Sequence, residues 1–271
     1  PYEANNFGGP ESGSVATLRS QTLASSNCAY LRLGLTVGLS NVAETTEALG
    51  VTTDLSDLPI SMPLGPKDIT PLEMATAYAT FANDGLQVDP IFIERVEDSD
   101  GTVLFENTPA PERAISVQSA RLVNQVLEAN VRGGTGTRAR LENQVAAGKT
   151  GTAQDFSDAW FVGYTPHLAT AVWMGNPDEQ IPMTGVDRGA MGRGNVFGGS
   201  LPAMIWGALN AAYHAGLEPL TFEAPEWTRA GTRIRTDQEE DDYRELIESF
   251  CGVDNEDAEI DTDEDLSLIH I

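Results

Sequence analysis

Val145-Ala146-Ala147-Gly148-Lys149-Thr150-Gly151-Thr152-Ala153 crowds small residues around one lysine and sets hydroxyls on alternate positions, Thr150 and Thr152. In an extended strand alternate side chains share a face, so the two threonines point the same way. Gly151 leaves the position between them bare, which lets another segment approach the backbone closely. The chain has only two lysines, Lys67 and Lys149, against fourteen arginines. A lysine kept here suggests that a compact ammonium is wanted instead of a guanidinium fork, although coding bias also makes lysine scarce.

Three readings of Gly-Lys-Thr compete. A phosphate-binding loop needs G-x-x-x-x-G-K-[ST] ahead of a helix. The first glycine of that pattern would fall where Asn143 stands, and Gly151-Thr152-Ala153 starts a helix poorly. The plain alternative is an edge strand without chemistry. The third is the K-T-G element of serine acyl-transferases that act on penicillin-like or D-Ala-D-Ala substrates.

Working outward, 144–153, 159–164 and 168–174 read as extended segments. Thr165-Pro166-His167 joins the last two and is short enough only for an antiparallel hairpin. Asp155 to Asp158 is equally short, which places Lys149 on a strand at one side of an antiparallel meander. On the N-terminal side, Gly133-Gly134-Thr135-Gly136-Thr137 reads as a flexible loop after a helix over 116–131, where Val117, Leu122, Val123, Val126 and Leu127 recur. Pro90 to Phe105 suggests two strands turning at Asp98-Ser99-Asp100-Gly101. Thr70-Pro71-Leu72-Glu73 is a helix start with Thr at the N-cap, Pro at N1 and Glu at N3. Leu72, Ala75, Tyr78, Ala79 and Ala82 supply its apolar face, and Gly85 stops it.

Earlier still, 59–66 is a turn-rich connector, and 40–49 a short amphipathic helix closed by Gly50. Helical spacing begins at Thr17 and is interrupted by Ser25-Ser26-Asn27. Such short polar residues commonly cap a helix or turn between two. The functional alternative is an S-x-N element, Ser25 with Asn27, which becomes informative beside Lys-Thr-Gly. Towards the C-terminus, 177–197 is a polar, glycine-rich loop. Ser200 is expected to cap a helix over 201–214 with Ile205, Leu209 and Ala212 apolar and Gly216 as the stop. Helices around an antiparallel sheet give an α+β architecture.

At 271 residues and 41% hydrophobic the chain can bury a substantial core. Its net charge of −25 argues against nucleic acid and anionic membrane surfaces as partners. From Asp237 to Asp265 there are fifteen acidic residues and one Arg, a tail expected to be disordered. Cys28 and Cys251 form no disulfide framework or metal pattern; Cys28 reads as a small buried residue, and its pairing with Cys251 is conceivable. His167, His214 and His270 are scattered, and no cofactor or metal is expected. No run of eighteen apolar residues spans a membrane. The opening at Pro1-Tyr2-Glu3 reads as a fragment whose start lies elsewhere.

Ser25-Ser26-Asn27, the stretch ITPLEMATAYATFANDG (69–85), Gly148–Thr152, Asp158–Tyr164 and GGSLPAMIW (198–206) resemble class A penicillin-binding proteins in order and spacing. The resemblance covers roughly 1–216, and the VWMGNP and IPMTGV segments look most like actinobacterial members. It implies the C-terminal part of a transpeptidase domain with the fold shared by penicillin-binding proteins and serine β-lactamases. The domain would act on D-Ala-D-Ala stem peptides outside the cytoplasmic membrane, with β-lactams as suicide inhibitors. By the same resemblance Ser25 relays a proton and Asn27 bonds the substrate amide. Lys149 supplies positive potential, Thr150 and Thr152 bind the substrate carboxylate beside Gly151, and the Thr152 N–H forms half of an oxyanion hole.

The family's nucleophile lies in S-x-x-K, but three positions before the two lysines stand Leu64 and Ala146. The nucleophile, with any glycosyltransferase domain and membrane anchor, is therefore expected ahead of Pro1. A serine β-lactamase or D,D-carboxypeptidase shares K-T-G and S-x-N, and a non-catalytic muropeptide sensor is a rival from another class. Beyond 216 the sequence reads as a linker (217–236), the acidic tail (237–265) and a non-native scar (266–271).

Overall fold

A computed structural model describes residues 16–226; the acidic tail, the last six residues and Cys251 lie outside the described residues. The chain divides into two compact units, one holding 16–43 and 55–68 and the other 44–54 and 69–225.

In the first unit, helix α1 (Leu18–Ala24) is followed after two residues by α2 (Asn27–Val37). Cys28, Leu31 and Gly34 form the buried stripe of α2, the helical spacing of three to four that aligns side chains on one face. The turn Met62–Leu64 packs on α2, and Pro63 occupies the space where a side chain on Gly34 would stand.

The helix α3 (Leu39–Ala48) ends before Gly50, whose φ is +103°. In the second unit α4 (Pro71–Ala82) starts as expected. The Thr70 hydroxyl accepts from the Glu73 N–H at 3.2 Å, while the Glu73 carboxylate accepts from Thr70 N at 2.9 Å. Glu73 also accepts from the backbone N–H groups of Thr52 and Thr53 at 2.9 and 2.7 Å, so one carboxylate ties the helix start to the segment after α3. The expected apolar face is shifted. Leu72 is exposed, whereas Thr76, Ala77 and Thr80 are buried. Both threonine hydroxyls donate to the carbonyl four residues back, which removes the desolvation penalty a buried hydroxyl otherwise carries.

Between α4 and the next helix lie two short antiparallel ladders. Strands β1 (Leu86–Gln87) and β4 (Glu112–Arg113) pair with each other, and β2 (Arg95–Glu97) pairs with β3 (Val103–Glu106). The second ladder turns at Asp98, which accepts from the N–H groups of Asp100 and Thr102. Helix α5 (Val117–Gly133) begins at Ser116, whose hydroxyl accepts from Ser119 N at 3.0 Å.

The meander forms as read from the sequence. Strands β5 (Ala147–Thr152), β6 (Asp158–Tyr164) and β7 (Ala169–Gly175) are antiparallel in that order, with β5 at an edge. The register pairs Thr150 with Phe161 and Ala147 with Tyr164, so the two aromatic residues face opposite sides of the sheet. Tyr164 meets Tyr78 and Phe81 of α4 at ring-centroid distances of 6.1 and 6.5 Å. Its hydroxyl donates to Asn124 of α5 at 2.6 Å. On the other face Phe161 meets Trp206 at 5.4 Å, and the indole N–H is within 3.0 Å of the Thr170 carbonyl. Helix α5 follows the β5 edge. Residues 217–225 fold back onto this unit: Phe222 packs on Tyr164, and Leu220 bonds Gln144.

Trp206 belongs to α6 (Leu201–Tyr213), where two expectations change. Ile205 and Leu209 are exposed, and Pro202, Ala203, Trp206, Gly207 and Asn210 form the buried stripe. Aromatic reach and small neighbours, not aliphatic count, decide which side of α6 meets the sheet. Ser200 precedes the helix without capping it; its hydroxyl accepts from Phe197 N and donates to Phe197 O. Within the loop over 177–197, β8 (Val186–Asp187) and β9 (Arg193–Gly194) make one further short ladder.

Candidate active site

The register settles how the Lys-Thr-Gly-Thr strand presents itself. Thr150 and Thr152 share the face of Phe161, and Lys149 and Gly151 share that of Val162 and Trp160. Lys149 is half-buried, and its Nζ donates to the Thr150 carbonyl at 3.0 Å. Burial lowers its pKa to about 8, because removal from water penalises the ammonium form.

The outer edge of β5 follows from the hydrogen-bond alternation of antiparallel strands. The Gly148 carbonyl points away from β6 and accepts from Asn130 Nδ2 at 2.8 Å, while Ala153 N–H points towards β6 and bonds Asp158 O at 2.9 Å. Thr150 and Thr152 therefore turn their backbone N–H groups outward, along an edge that no strand pairs with among the described residues. An outward N–H beside an ammonium is suited to stabilising an anionic oxygen or carboxylate.

Both threonine hydroxyls have fixed partners. Thr150 Oγ1 donates to Thr135 Oγ1 at 2.7 Å, and Thr152 Oγ1 accepts from Gly198 N at 3.1 Å. Gly198 is where a glycine is needed, since a Cβ there would run into the Trp160 and Gly151 carbonyl oxygens. The close backbone approach expected at Gly151 is thus supplied from the segment before α6. Arg138 extends the scaffold by donating to Gly199 O at 3.0 Å.

Ser25-Ser26-Asn27 forms the turn between α1 and α2. Ser25 is left-handed, with φ 57° and ψ 47°, a conformation uncommon outside glycine and asparagine. Ser25 N bonds Thr22 O at 3.1 Å, and Ser26 N bonds Gln21 O at 3.0 Å. This is the Schellman arrangement that normally ends on glycine. Ser26 is buried and accepts from Ala29 N at 3.1 Å, serving as the cap of α2. Asn27 is the first residue of that helix. Ser26 thus does the capping, while Ser25 keeps its hydroxyl at a strained position that glycine would fill more easily. Strain of this kind collects at functional sites.

Sequence reasoning missed Asn130, Thr135 and Gly198. The glycine loop over 133–137 was the available signal for Thr135, whereas an asparagine inside a helix gives none. The short link between β5 and β6 joins antiparallel strands as expected, but its backbone form carried no sequence signal, since Asp155 and Phe156 both adopt positive φ without a glycine. Among the described residues no cluster of three His, Cys, Asp or Glu could hold a metal ion, and no helix is long and apolar enough to cross a membrane.

The antiparallel sheet with its open β5 edge, held between helices, is an α+β domain. Residues 3–180 match the family described as the penicillin binding protein transpeptidase domain, and the chain belongs to that family. It is 39% identical over 170 residues to penicillin-binding protein 1A of Aquifex aeolicus, a match covering 63% of this chain and 23% of that protein. With penicillin-binding protein 1A of Clostridium acetobutylicum it is 34% identical, covering 83% of this chain and 27% of the relative. The chain thus spans about a quarter of the length of these relatives. Among solved structures it resembles PonA1 from Mycobacterium tuberculosis in complex with penicillin V, with a TM-score of 0.72 and 27% identity. That likeness covers 83% of this chain and 64% of the other. Penicillin-binding protein 1A from Haemophilus influenzae gives a TM-score of 0.66 at 25% identity, covering 77% of this chain and 36% of that one.

Proposed function

We propose that this chain supplies the substrate-holding part of a D,D-transpeptidase that cross-links peptidoglycan stem peptides by serine acyl transfer outside the cytoplasmic membrane. The observation that carries the reading is the β5 edge, where an ammonium and outward N–H groups stand together on the Lys149–Thr152 strand. In the reaction a serine oxygen attacks the D-Ala-D-Ala carbonyl, the terminal D-Ala leaves as the amine, and an acceptor amine then displaces the serine. Lys149 favours the substrate carboxylate, with Thr150 and Thr152 as its hydrogen-bonding partners. The Thr152 N–H stabilises the tetrahedral oxyanion. Ser25 passes the proton to the leaving amine, and Asn27 holds the substrate amide. β-Lactams react at the same serine as substrate mimics.

No S-x-x-K occurs in these 271 residues, and none of their serines is proposed as the nucleophile. The chain alone is expected to resist acylation, since loss of a triad-type nucleophile costs on the order of 10⁶ in turnover. The test is labelling of the intact protein by a fluorescent penicillin. Lys149→Ala should slow labelling by about 10²- to 10³-fold, the usual effect of removing one preorganised electrostatic group. Unchanged labelling, or rapid hydrolysis of the penicillin by the unsubstituted protein, would overturn the proposal.

A further inference from the structure

Thr150, which the proposed function assigns to the substrate carboxylate, already gives its proton to another residue. Asn130 of α5 is fully buried, and its amide orientation is dictated by its neighbours. The Gly148 carbonyl can only accept and the Thr135 N–H can only donate. Nδ2 therefore faces Gly148 O at 2.8 Å, and Oδ1 accepts from Thr135 N at 3.1 Å. The Thr135 hydroxyl also donates to Oδ1, at 3.3 Å. Its oxygen is thereby left as the acceptor for Thr150, at 2.7 Å. Gly134 keeps the loop against the asparagine, because a Cβ there would collide with Asn130 Oδ1.

A carboxylate has no proton to give, so it must receive the Thr150 proton to be bound through that hydroxyl. While Thr135 holds the proton, Thr150 cannot donate elsewhere. The arrangement is reversible without breaking the scaffold. Asn130 Oδ1 retains the Thr135 N–H when the Thr135 hydroxyl turns away, and the turned hydroxyl can donate to Thr150 Oγ1. The Thr150 proton is then released towards the ligand. Two hydroxyl protons rotate, and no covalent bond changes.

We infer that Thr135 and Asn130 are positioning residues for carboxylate recognition. Thr135 is the reversible partner that sets the Thr150 hydroxyl, and Asn130 is the fixed post that also pins the strand at Gly148. This rests on the acyl-transfer reading given above. It predicts a specificity effect that a merely structural role would not produce.

The experiment measures pre-covalent binding of a penicillin and of its methyl ester to the intact protein. Thr135→Val should weaken the free acid by about threefold to tenfold, the worth of the neutral hydrogen bond by which the turned Thr135 hydroxyl holds Thr150 Oγ1 in its donating orientation. The loss should be confined to the acid, and Thr135→Ser should restore it. Should the valine variant not fold, Thr135→Ala removes the same hydroxyl with less bulk. Equal weakening of acid and ester, or no weakening of either, would overturn the inference. Thr150→Val separates the two levels. An acid-selective loss for Thr150→Val without one for Thr135→Val defeats only the positioning role. Equal effects of Thr150→Val on acid and ester defeat the carboxylate reading itself.

Discussion

The Ser25-Ser26-Asn27 turn and the Lys149–Thr152 strand hold their polar groups by opposite means. The turn is fixed by its own neighbours, through backbone bonds to Gln21 and Thr22 and the Ser26 cap on Ala29. The strand is fixed from far along the sequence. Thr135 lies 15 positions from Thr150, Asn130 lies 18 from Gly148, and Gly198 lies 46 from Thr152. A locally braced turn can carry backbone strain, because the adjoining helices over-determine it. A strand edge has no such local brace and depends on the packing of α5 and α6 behind it.

The sharpest difference should appear on damaging that packing. Trp206→Ala removes the indole that fills the Phe161 side of the sheet, and core truncations of this size cost about 3–5 kcal/mol. Chemical denaturation should show that loss. A Trp206→Ala protein as stable as its parent would mean that the strand is not supported in this way.

The next largest effect concerns charge. With the Lys149 pKa lowered to about 8 by burial, the ammonium dominates below that pH and is lost above it. Acylation by a penicillin carboxylate should therefore fall as pH rises through 8, approaching about tenfold per unit. A rate that stays flat to pH 10 would contradict the role given to Lys149.

Ser25→Gly then sharpens the other half of the comparison. Glycine accepts the left-handed conformation without a Cβ penalty, so stability should hold or rise by up to about 1 kcal/mol, while penicillin labelling drops. Destabilisation would show that Ser25 serves the turn and not the chemistry.

Smallest is Glu73→Gln. Desolvation raises the Glu73 pKa, but hydrogen bonds from Thr70 and Thr52 outweigh it and hold the carboxyl well below its ordinary value. The stabilisation is thus fully present above the unfolded-state pKa of about 4.3 and declines as pH falls below it. The substitution should cost about 1 kcal/mol at pH 7, as for other capping losses, and progressively less in acid. A pH-independent difference between the two proteins would exclude this origin.

Much of this was legible in the sequence wherever the deciding interactions are short-range. Thr70-Pro71-Leu72-Glu73 announced its capping box, the Asp98–Gly101 turn its hairpin, and the three-residue Thr165–His167 link its antiparallel pairing. The buried faces of α4 and α6 were misjudged for a common reason. Thr76 and Thr80 satisfy their hydroxyls within the helix, and Trp206 reaches the sheet past small neighbours, so polarity and aliphatic spacing pointed to the wrong side. Lys149, Thr150 and Thr152 could be placed by alternation alone. Their supports, Asn130 and Gly198, owe their roles to contacts that only the folded chain creates.

A double-mutant cycle on penicillin acylation of the intact protein, with Ser25→Ala and Lys149→Ala, tests most directly whether both clusters serve one reaction. Groups that act as a unit are strongly non-additive, so the double variant should be about as slow as the slower single one. Losses that multiply independently would contradict a shared acyl-transfer step.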